Sequence, residues 1–542
     1  MAAVSETPTL FLRKATGLVK GWSKFDAFVY SFLSVNFVCL GLYFSLSVLP
    51  FIPDGQILPS VILTGVFVSF LVITYACLIA VMPRAGGDYV WQSRIFNGGA
   101  AFLLAVTGWW FTLWHWAPIY GNVLAVQFFQ PFWATLKLKI GSVDAQWFAS
   151  KNGIFFVSMV AILMASFFVS LGMQGYARVQ KFCWYGGMIG LAIMCLVLVF
   201  GSRSGFQSAF NQEAAHLFGA HGNAYQQTIQ ASVKAGYTPK GLSFSPFFGA
   251  SLLLIPFLLF YLLWPNWGAT LYGEVRGASD FKRVASGMMY GLWVTVALTI
   301  VFVLLASRTF GWSFFLASNN NFWSGNAQPM PIWPYPPMLA GFFLHNTVFS
   351  AVFILLMGMW FVGWAGTLFL SSSRVIFAAA FDRVLPEWAG SVSEKRHVPY
   401  GALALMFFPA IIISIFYAYT GSFAKYTLDA TLVIAVAFFG SSLAAAVLPW
   451  RKKQMYQNSP VARYTVLGIP LITVAGGITA AFIGWNLFQW IKNDVYAINN
   501  TQSLFYMGGL YTLAAVVYLV AKYSRKRQGV DLTAIHAEIP VD

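Results

Sequence analysis

The chain has 542 residues, of which 59% are hydrophobic and only 9% are charged. Such a chain has too little polar surface to enclose a soluble core, so its composition excludes a soluble globular protein and predicts an all-α polytopic membrane protein. A net charge of +16 would suggest a nucleic-acid partner if the chain were soluble, but basic residues in a membrane protein mark cytoplasmic ends, and no stretch resembles a nucleic-acid-binding module.

Twelve apolar segments meet or approach the ~20 residues that cross the hydrocarbon core of a bilayer. The predicted spans, numbered in chain order, are Phe25–Leu49, Ile57–Met82, Gly98–Phe129, Gly153–Gly172, Phe182–Phe200, Leu252–Tyr272, Ala285–Ala306, Met338–Leu370, Tyr400–Tyr419, Leu428–Leu448, Tyr464–Trp490 and Leu504–Ala521. The segment before the first span is polar and basic, which predicts that no signal peptide is cleaved there.

Basic residues indicate the orientation. With the N-terminus in the cytoplasm, most of the 32 Lys and Arg fall on the cytoplasmic side, and an even number of spans then puts both termini there. The chain divides into an N-terminal tail (1–24), a first group of five spans (25–200), an extracellular loop (201–250), a second group of five spans (251–450), spans eleven and twelve (451–523) and a C-terminal tail (524–542).

Two predicted external connections are long. The loop 201–250 is polar enough to hold a short surface helix. The connection Ser307–Pro337 contains the segments NNNFW and PMPIWPYPP, which predict irregular structure, either a lid over the external side or a mere connector.

Two of the predicted spans are interrupted. In the first, the segment SVNFVCLGLYF carries Asn36, Cys39 and Gly41, and the glycine offers a point of unwinding. In the sixth, Pro265 lacks a backbone N–H, and Asn266 is polar. Freed backbone groups cannot face lipid, so these breaks line a cavity, unless the sixth span has only a packed proline kink. Spans one and six correspond if the first ten spans form two five-span repeats, which indicates a transporter with a mid-membrane site.

Three segments at the predicted cytoplasmic side form longer patterns. They read MPRAGGDYVWQSRIFNGG (Met82–Gly99), GEVRGASDFKR (Gly273–Arg283) and SSSRVIFAAAFDRVLPEWAGSVSEKRHVPYG (Ser371–Gly401). In register, they resemble motifs of the amino acid–polyamine–organocation (APC) superfamily of secondary transporters. The resemblance implies twelve transmembrane helices in a five-plus-five inverted repeat plus two extra helices, alternating access, and a solute held between spans one, three, six, eight and ten.

Candidate solute contacts follow from the two breaks and the aromatic third span. The first span has one glycine where amino acid transporters of the superfamily have a glycine-rich segment that takes the substrate carboxylate, and a half-helix N-terminus still attracts an anion. Trp264 offers a stacking face, while Trp110 and Trp114 share a helix face and either wall the site or face lipid. The predicted contacts are Asn36, Cys39, Leu40, Gly41, Trp110, Trp114, Leu263, Trp264 and Asn266.

Three residues are candidates for ion coupling. His115 lies deep in the third span, where an imidazole either couples protons to transport or packs through hydrogen bonds. Thr367 and Ser371 share a face of the eighth span and either hold Na⁺ with first-span carbonyl groups, as the resemblance implies, or bond carbonyl groups of their own helix. The coupling ion stays open between Na⁺ and H⁺, and no cofactor or metal centre is expected.

Six charged residues at the predicted cytoplasmic ends form an inner gate of breakable ion pairs or are ordinary interfacial charges. They are Arg84, Asp88, Arg94, Glu274, Arg374 and Asp382.

Together these patterns predict a permease that moves an amino acid or a related small organic amine across the cell membrane. The alternatives are transport of another small solute such as a nucleobase, an integral membrane enzyme, or a channel. An enzyme is disfavoured because almost every acidic residue lies near a span end or in a loop. No GxxxxGK[ST] segment offers an ATP site, so the energy for transport is expected from an ion gradient or exchange. The expected partners are the lipid bilayer and a small solute, and the oligomeric state stays open.

Overall fold

The computed structural model describes residue 18, residues 20–420 and residues 426–537. Most of the predicted N-terminal tail (1–17 and 19), the connection 421–425 and the last residues of the predicted C-terminal tail (538–542) lie outside the described residues. Within the described part, the chain is mostly helical, and its two short strands, Thr465–Val466 and Ile469–Pro470, pair antiparallel in a hairpin before the eleventh span.

Eleven helical segments in the described part are long and apolar enough to cross a membrane. Their bounds are Lys24–Ser45, Ile57–Val81, Lys151–Ser170, Gly172–Phe200, Gly249–Glu274, Phe281–Ser324, Thr347–Phe381, Tyr400–Thr420, Thr427–Arg451, Leu471–Lys492 and Thr501–Arg527. Each overlaps one predicted span, and we keep the predicted numbering for them. The protein is therefore a helical, multi-pass membrane protein.

The predicted third span is not among the eleven, and its helix changes type several times. It consists of the α-helix Gly98–Ala101, the π-helix Phe102–Phe111, the α-helix Leu113–Leu124, the π-helix Ala125–Phe129 and the α-helix Gln130–Thr135. At the first junction, Thr112 donates its N–H five residues back to Thr107, and His115 donates three residues back to Thr112. A wide turn followed by a tight one changes which residues share a helix face.

Other spans are also composite. The first is the α-helix Lys24–Val35 followed by the π-helix Phe37–Ser45; the sixth is the 3₁₀ helix Gly249–Leu254, the α-helix Ile255–Leu262 and the 3₁₀ helix Trp267–Glu274; the eighth is Thr347–Ala365 followed by Thr367–Phe381. The break in the eighth span, at Gly366, was not predicted.

Shorter helices connect the spans. The α-helices are Gly87–Ile95, Arg203–Phe218, Ala224–Lys234, Trp312–Ser324, Pro336–Gly341, Lys453–Gln457 and Leu532–Ala537. The 3₁₀ helices are Leu49–Phe51, Gln146–Ala149, Phe342–Leu344, Glu387–Gly390 and Asp494–Tyr496, and a π-helix, Ser307–Gly311, follows the seventh-span α-helix Phe281–Ala306.

The prediction of irregular structure throughout Ser307–Pro337 was wrong. The NNNFW segment belongs to the helix Trp312–Ser324, and its asparagine side chains bond the neighbouring helix Ala224–Lys234: Asn320 donates to the Ser232 hydroxyl and Asn321 donates to the Thr228 carbonyl. These tertiary contacts override the low helix propensity of asparagine. The predicted start of the eighth span at Met338 was also wrong, since the span begins at Thr347.

The spans differ in how deeply they are buried in the protein. Of the most apolar stretch of each span, 83% is buried in the first, 78% in the sixth and 72% in the tenth, against 11% in the twelfth. The interrupted first and sixth spans therefore lie at the centre of the molecule, while the twelfth lies at its edge and leaves most of its surface to lipid.

Candidate functional site

The first span is broken at Asn36. This residue adopts the left-handed conformation (φ 36°, ψ 79°), and its Oδ1 atom accepts a hydrogen bond from the Cys39 N–H at 2.8 Å, which caps the π-helix that follows. Asparagine tolerates this backbone conformation because its side chain bonds locally. Gly41 has another role than the predicted unwinding, since a Cβ there would come within 3.1 Å of the Tyr261 ring. Gly41 allows the first and sixth spans to pack closely.

The sixth span is broken between Leu262 and Trp267, where four residues lie outside both helices. Its backbone carbonyl groups near the break are bonded by side chains of other spans: the Ser31 hydroxyl donates to Pro265 O (2.7 Å), and the Ser371 hydroxyl donates to Trp267 O (3.0 Å). The freed backbone groups thus find partners inside the protein, as a break at membrane depth requires.

A cavity of about 280 Å³ lies between the two breaks. Its walls come from the first, third, sixth and eighth spans, and the lining residues are Ser34, Leu40, Leu113, Trp116, Tyr120, Trp264, Trp267, Trp364 and Leu368. The free space inside it is small. None of its lining residues is charged.

Aromatic side chains form most of the cavity wall and hold one another in place. Trp264 meets Trp116 edge-on at 5.8 Å between ring centroids, and Tyr120 stacks on Trp364. Two polar groups of this wall bond the protein: the Trp267 indole N–H donates to Thr367 O (3.1 Å), and the Tyr120 hydroxyl bonds the Thr367 hydroxyl (2.8 Å). The aromatic faces that remain towards the cavity are apolar.

Of the predicted solute contacts, Leu40 and Trp264 line the cavity. The others at the two breaks, Asn36, Cys39, Gly41, Leu263 and Asn266, are buried beside it without lining it. Among the described residues, no hydrogen-bond partner lies within normal distance of either atom of the Asn266 amide. Their contact with a solute stays a prediction.

The prediction that Trp110 and Trp114 wall the site was wrong. Both indole N–H groups donate to the Leu405 carbonyl of the ninth span, at 3.3 and 3.0 Å, and neither residue lines the cavity. The π-helix before Thr112 turns the opposite face inwards, so the cavity receives Leu113 and Trp116 instead.

Six aromatic or aliphatic cavity residues were not among the predicted solute contacts: Leu113, Trp116, Tyr120, Trp267, Trp364 and Leu368. Leu113, Trp116 and Tyr120 recur at spacings of three and four, which is an inward helix face once the turn at Thr112 is known. Trp364 and Leu368 also stand four residues apart, across the unpredicted break in the eighth span. That spacing was a usable signal.

The predicted coupling residues hold spans together. The Thr367 hydroxyl donates to Trp364 O (2.7 Å), three residues back, and the Ser371 hydroxyl bonds the Tyr30 hydroxyl of the first span (2.7 Å). His115 lies away from the cavity, and its ring packs among the tyrosines Tyr417, Tyr426 and Tyr506. Ion coupling through these residues stays a prediction.

Four of the six predicted gate residues form two buried ion pairs. Arg94 binds Asp382 through both guanidinium nitrogens, with Nη2 at 2.7 Å from Oδ1. Arg374 binds Glu274 the same way, with Nε at 2.7 Å from Oε1 and Nη2 at 3.1 Å from Oε2. Their side chains are at most 3% exposed, so they are not ordinary interfacial charges. The first pair joins the helix Gly87–Ile95 to the end of the eighth span, and the second joins the sixth and eighth spans.

The predicted ion-pairing role of Asp88 was wrong. Its carboxylate is fully buried and accepts hydrogen bonds from the Tyr75 hydroxyl, the Ser441 hydroxyl (2.6 Å) and the Trp109 indole N–H (3.0 Å). Arg84 is half-buried in the turn before this helix, and its part in a gate stays a prediction.

The two glycines of the predicted turn pack the helix Gly87–Ile95 onto the sixth and eighth spans. Gly86 has a φ of 97°, and a Cβ on it would overlap the Cβ of Ala378. A Cβ on Gly87 would lie 3.1 Å from the backbone of Ala269 and Thr270. The Gly86 N–H also donates to Thr270 O at 2.9 Å. This helix, which we name the interspan helix, thus packs closely against the second half of the sixth span, Trp267–Glu274.

Comparison with known proteins agrees with this architecture. Residues 23–517 match the family model described as amino acid permease. The chain is also 22% identical over 521 residues to the branched-chain amino acid permease BcaP of Lactococcus lactis subsp. cremoris (strain MG1363), which covers 91% of this chain and 94% of that protein. Because the family match runs from the first span into the twelfth, the chain belongs to the amino acid permease family of the APC superfamily and is a membrane transporter.

Proposed function

We propose that this permease moves an amino acid with an apolar side chain, of the branched-chain type, across the cell membrane by alternating access. The observation that carries the proposal is the small uncharged cavity of aromatic and aliphatic residues between the two broken spans. The name of the Lactococcus relative, a branched-chain amino acid permease, supports the same class of solute.

The cavity divides the task of recognition. Leu40, Leu113 and Leu368 with the surrounding indole rings offer apolar contact to an aliphatic side chain. The backbone at the two breaks offers polar groups to the ammonium and carboxylate ends of the solute, as half-helix ends do in transporters of this kind. The uncharged lining disfavours a solute with a charged side chain, because its charge would be buried without a partner.

Access from the two sides is controlled by different contacts. Towards the cytoplasm, the two arginine–carboxylate pairs close the space below the cavity. Towards the outside, Trp323 donates to the Ser47 hydroxyl (2.8 Å), and Tyr43 packs edge-on against Trp333. We infer that transport alternates between opening one set and opening the other, in a twelve-span, five-plus-five repeat with both termini in the cytoplasm and with Na⁺ or H⁺ as the driving ion.

The test is counterflow of labelled L-isoleucine in proteoliposomes, with unlabelled amino acids and nucleobases as competitors. Leucine, valine and isoleucine are expected to compete, and lysine and glutamate are not. Competition by nucleobases alone would favour the alternative, a nucleobase transporter, since aromatic walls can also stack a flat ring.

A matched pair of variants tests the site itself. Trp264→Ala is expected to abolish isoleucine counterflow, because Trp264 lines the cavity, while Trp490→Ala removes an equally buried tryptophan of the eleventh span and is expected to keep it. Rates are compared per folded protein, as measured by size-exclusion chromatography. Equal loss in both variants would contradict a site at Trp264.

A further inference from the structure

Asp88 is a buried carboxylate that the proposed gate does not use. It lies at the second position of the interspan helix, outside the membrane-spanning segments, and its side chain is fully buried. An ionised carboxylate without a cationic partner is costly to bury, so a protein that keeps one has usually given it a task.

The partners of Asp88 join three spans. Its Oδ1 atom accepts from the hydroxyls of Tyr75, on the second span, and Ser441, on the tenth span, and its Oδ2 atom accepts from the Trp109 indole on the predicted third span. All three donors are neutral. The carboxylate thus acts as an acceptor at the point where these spans meet the interspan helix.

A short chain of contacts connects Asp88 to the cavity. The Trp109 ring lies 4.4 Å from the Trp267 ring, centroid to centroid, and Trp267 lines the cavity. The same end of the interspan helix bonds the sixth span, since Gly86 donates to Thr270 O. A change at Asp88 therefore reaches both the cavity wall and the second half of the broken sixth span, Trp267–Glu274.

The charged groups around Asp88 are already matched with one another. On the elements packed against the interspan helix, the charged or titratable side chains are Tyr272, Glu274, Arg374, Asp382, Asp429, Arg451 and His536. Those on the helix itself or beside it are Tyr75, Arg84, Tyr89 and Arg94. Arg374 is held by Glu274 and Arg94 by Asp382. The pKa of Asp88 is therefore set mainly by the burial of its carboxyl group and by its neutral hydrogen-bond donors.

Burial raises the pKa of Asp88 to about 6, while the hydrogen bonds from Ser441, Tyr75 and Trp109 lower it. A carboxyl group with this pKa gains and loses its proton between acidic and neutral pH, whereas an exposed aspartate stays ionised over that range.

We propose that Asp88 is the proton-binding site that couples solute movement to a proton gradient, an inference that rests on the proposed transport function. The proton binds Oδ1, because the hydroxyls of Tyr75 and Ser441 can turn from donor to acceptor, whereas the Trp109 indole can only donate. Neutralisation weakens the charge-assisted bond from Trp109 and so loosens the contact between the interspan helix and the cavity wall. The proton is taken up from the outside through the open cavity and released to the cytoplasm when the inner side opens.

The experiment measures two fluxes in the same proteoliposomes: L-isoleucine accumulation driven by an acidic outside, and isoleucine-driven proton entry reported by a trapped pH dye. Asp88→Asn is expected to lose both and to keep isoleucine counterflow, which needs no net proton movement. Asp429→Asn is the matched control, since Asp429 is also a buried carboxylate that accepts a hydroxyl bond, from Ser503 at 2.8 Å, and has no contact with the cavity wall. It is expected to keep both fluxes.

A second variant covers the case in which Asp88→Asn fails to fold. Ser441→Ala removes one hydrogen bond that lowers the pKa of Asp88, so the pH midpoint of isoleucine accumulation is expected to move upwards. An unchanged midpoint, proton-coupled transport in Asp88→Asn at the wild-type level, or loss of coupling in Asp429→Asn alone would each overturn the proposal. Absence of amino acid counterflow in the wild type would instead overturn the proposed function.

Discussion

The cavity and the proposed cytoplasmic closure, formed by the pairs Arg94–Asp382 and Arg374–Glu274, are both buried, but their chemistry is opposite. The cavity has nine uncharged lining residues, mostly aromatic or aliphatic, whereas the proposed closure consists of two arginine–carboxylate pairs. Apolar walls cost little free energy to bury and bind a solute through contact area. A buried ion pair is favourable only when both partners are in place. We therefore expect solute affinity and closure to depend on separate residues that can be changed separately.

The largest expected effect is at the closure. Arg374→Ala leaves the Glu274 carboxylate buried without its partner and is expected to cost about 3–5 kcal/mol of the stability of the closed state. The measurement is thermal unfolding in detergent together with isoleucine counterflow. Replacing both partners, as in Arg374→Met with Glu274→Gln, should restore part of the loss, and Lys282→Ala, at an exposed position, should show none. A loss as small as that of Lys282→Ala would break the contrast between the two regions.

The next effect concerns the packing of the interspan helix. Gly86→Ala introduces a side chain at a φ of 97° against Ala378 and is expected to destabilise the inward-closed protein by roughly 1–3 kcal/mol. Gly508→Ala, in the twelfth span with open space around it, is the control and should leave the unfolding temperature unchanged or slightly raised. Equal unfolding temperatures for the two variants would show that the close approach at Gly86 carries no stability.

A substitution in the cavity is expected to change the affinity for the solute and not the stability of the closed state. Leu368→Ala enlarges the cavity and is expected to weaken isoleucine binding by about 1–3 kcal/mol with little change in the closure. Competition assays measure this affinity, and bulkier solutes such as phenylalanine should bind more tightly relative to isoleucine. Leu519→Ala, 62% exposed on the twelfth span, is the control. Unchanged selectivity in Leu368→Ala would contradict binding of the solute in this cavity.

The smallest effect lies at the outer layer of the closure, where the C-terminal helix Leu532–Ala537 docks. His536 Nε2 lies 3.1 Å from the Tyr89 hydroxyl and 3.7 Å from Asp382 Oδ2. Burial lowers the pKa of His536, so the docked helix favours the neutral ring, and its docking should weaken as the pH falls below about 6.5. Hydrogen exchange over 532–537 measures this.

A substitution at Tyr89 tests the hydrogen bond to His536. Tyr89→Phe removes the hydroxyl that faces His536 and is expected to cost about 0.5–1.5 kcal/mol of docking, while Tyr290→Phe, on the exposed face of the seventh span, should cost none. Exchange of the C-terminal helix that is the same at pH 5 and pH 8 would contradict the role of the imidazole.

Sequence reasoning predicted the architecture more accurately than the site. Apolar length located the spans, and Pro265 marked the break in the sixth, because proline acts through its local backbone chemistry. In the first span the interruption was predicted, but its unwinding was expected at Gly41 and the break lies at Asn36. The site depends on which helix faces turn inwards. The π-helix ending at Phe111 reversed that choice for the third span, so Trp110 and Trp114 were chosen in place of Trp116 and Tyr120.

Charge shows the same division. The six gate candidates were recognisable by their position at span ends, but their pairing could not be predicted. The sequence around an arginine at a span end does not show whether its side chain contacts a carboxylate or water. Hydrophobic length and backbone chemistry are local properties of the chain, so many membrane crossings and two broken spans could be predicted from the order of residues. The pairing of Asp382 with Arg94, and of Asp88 with three neutral donors, could not, since those partners lie on distant segments that meet only when the chain is folded.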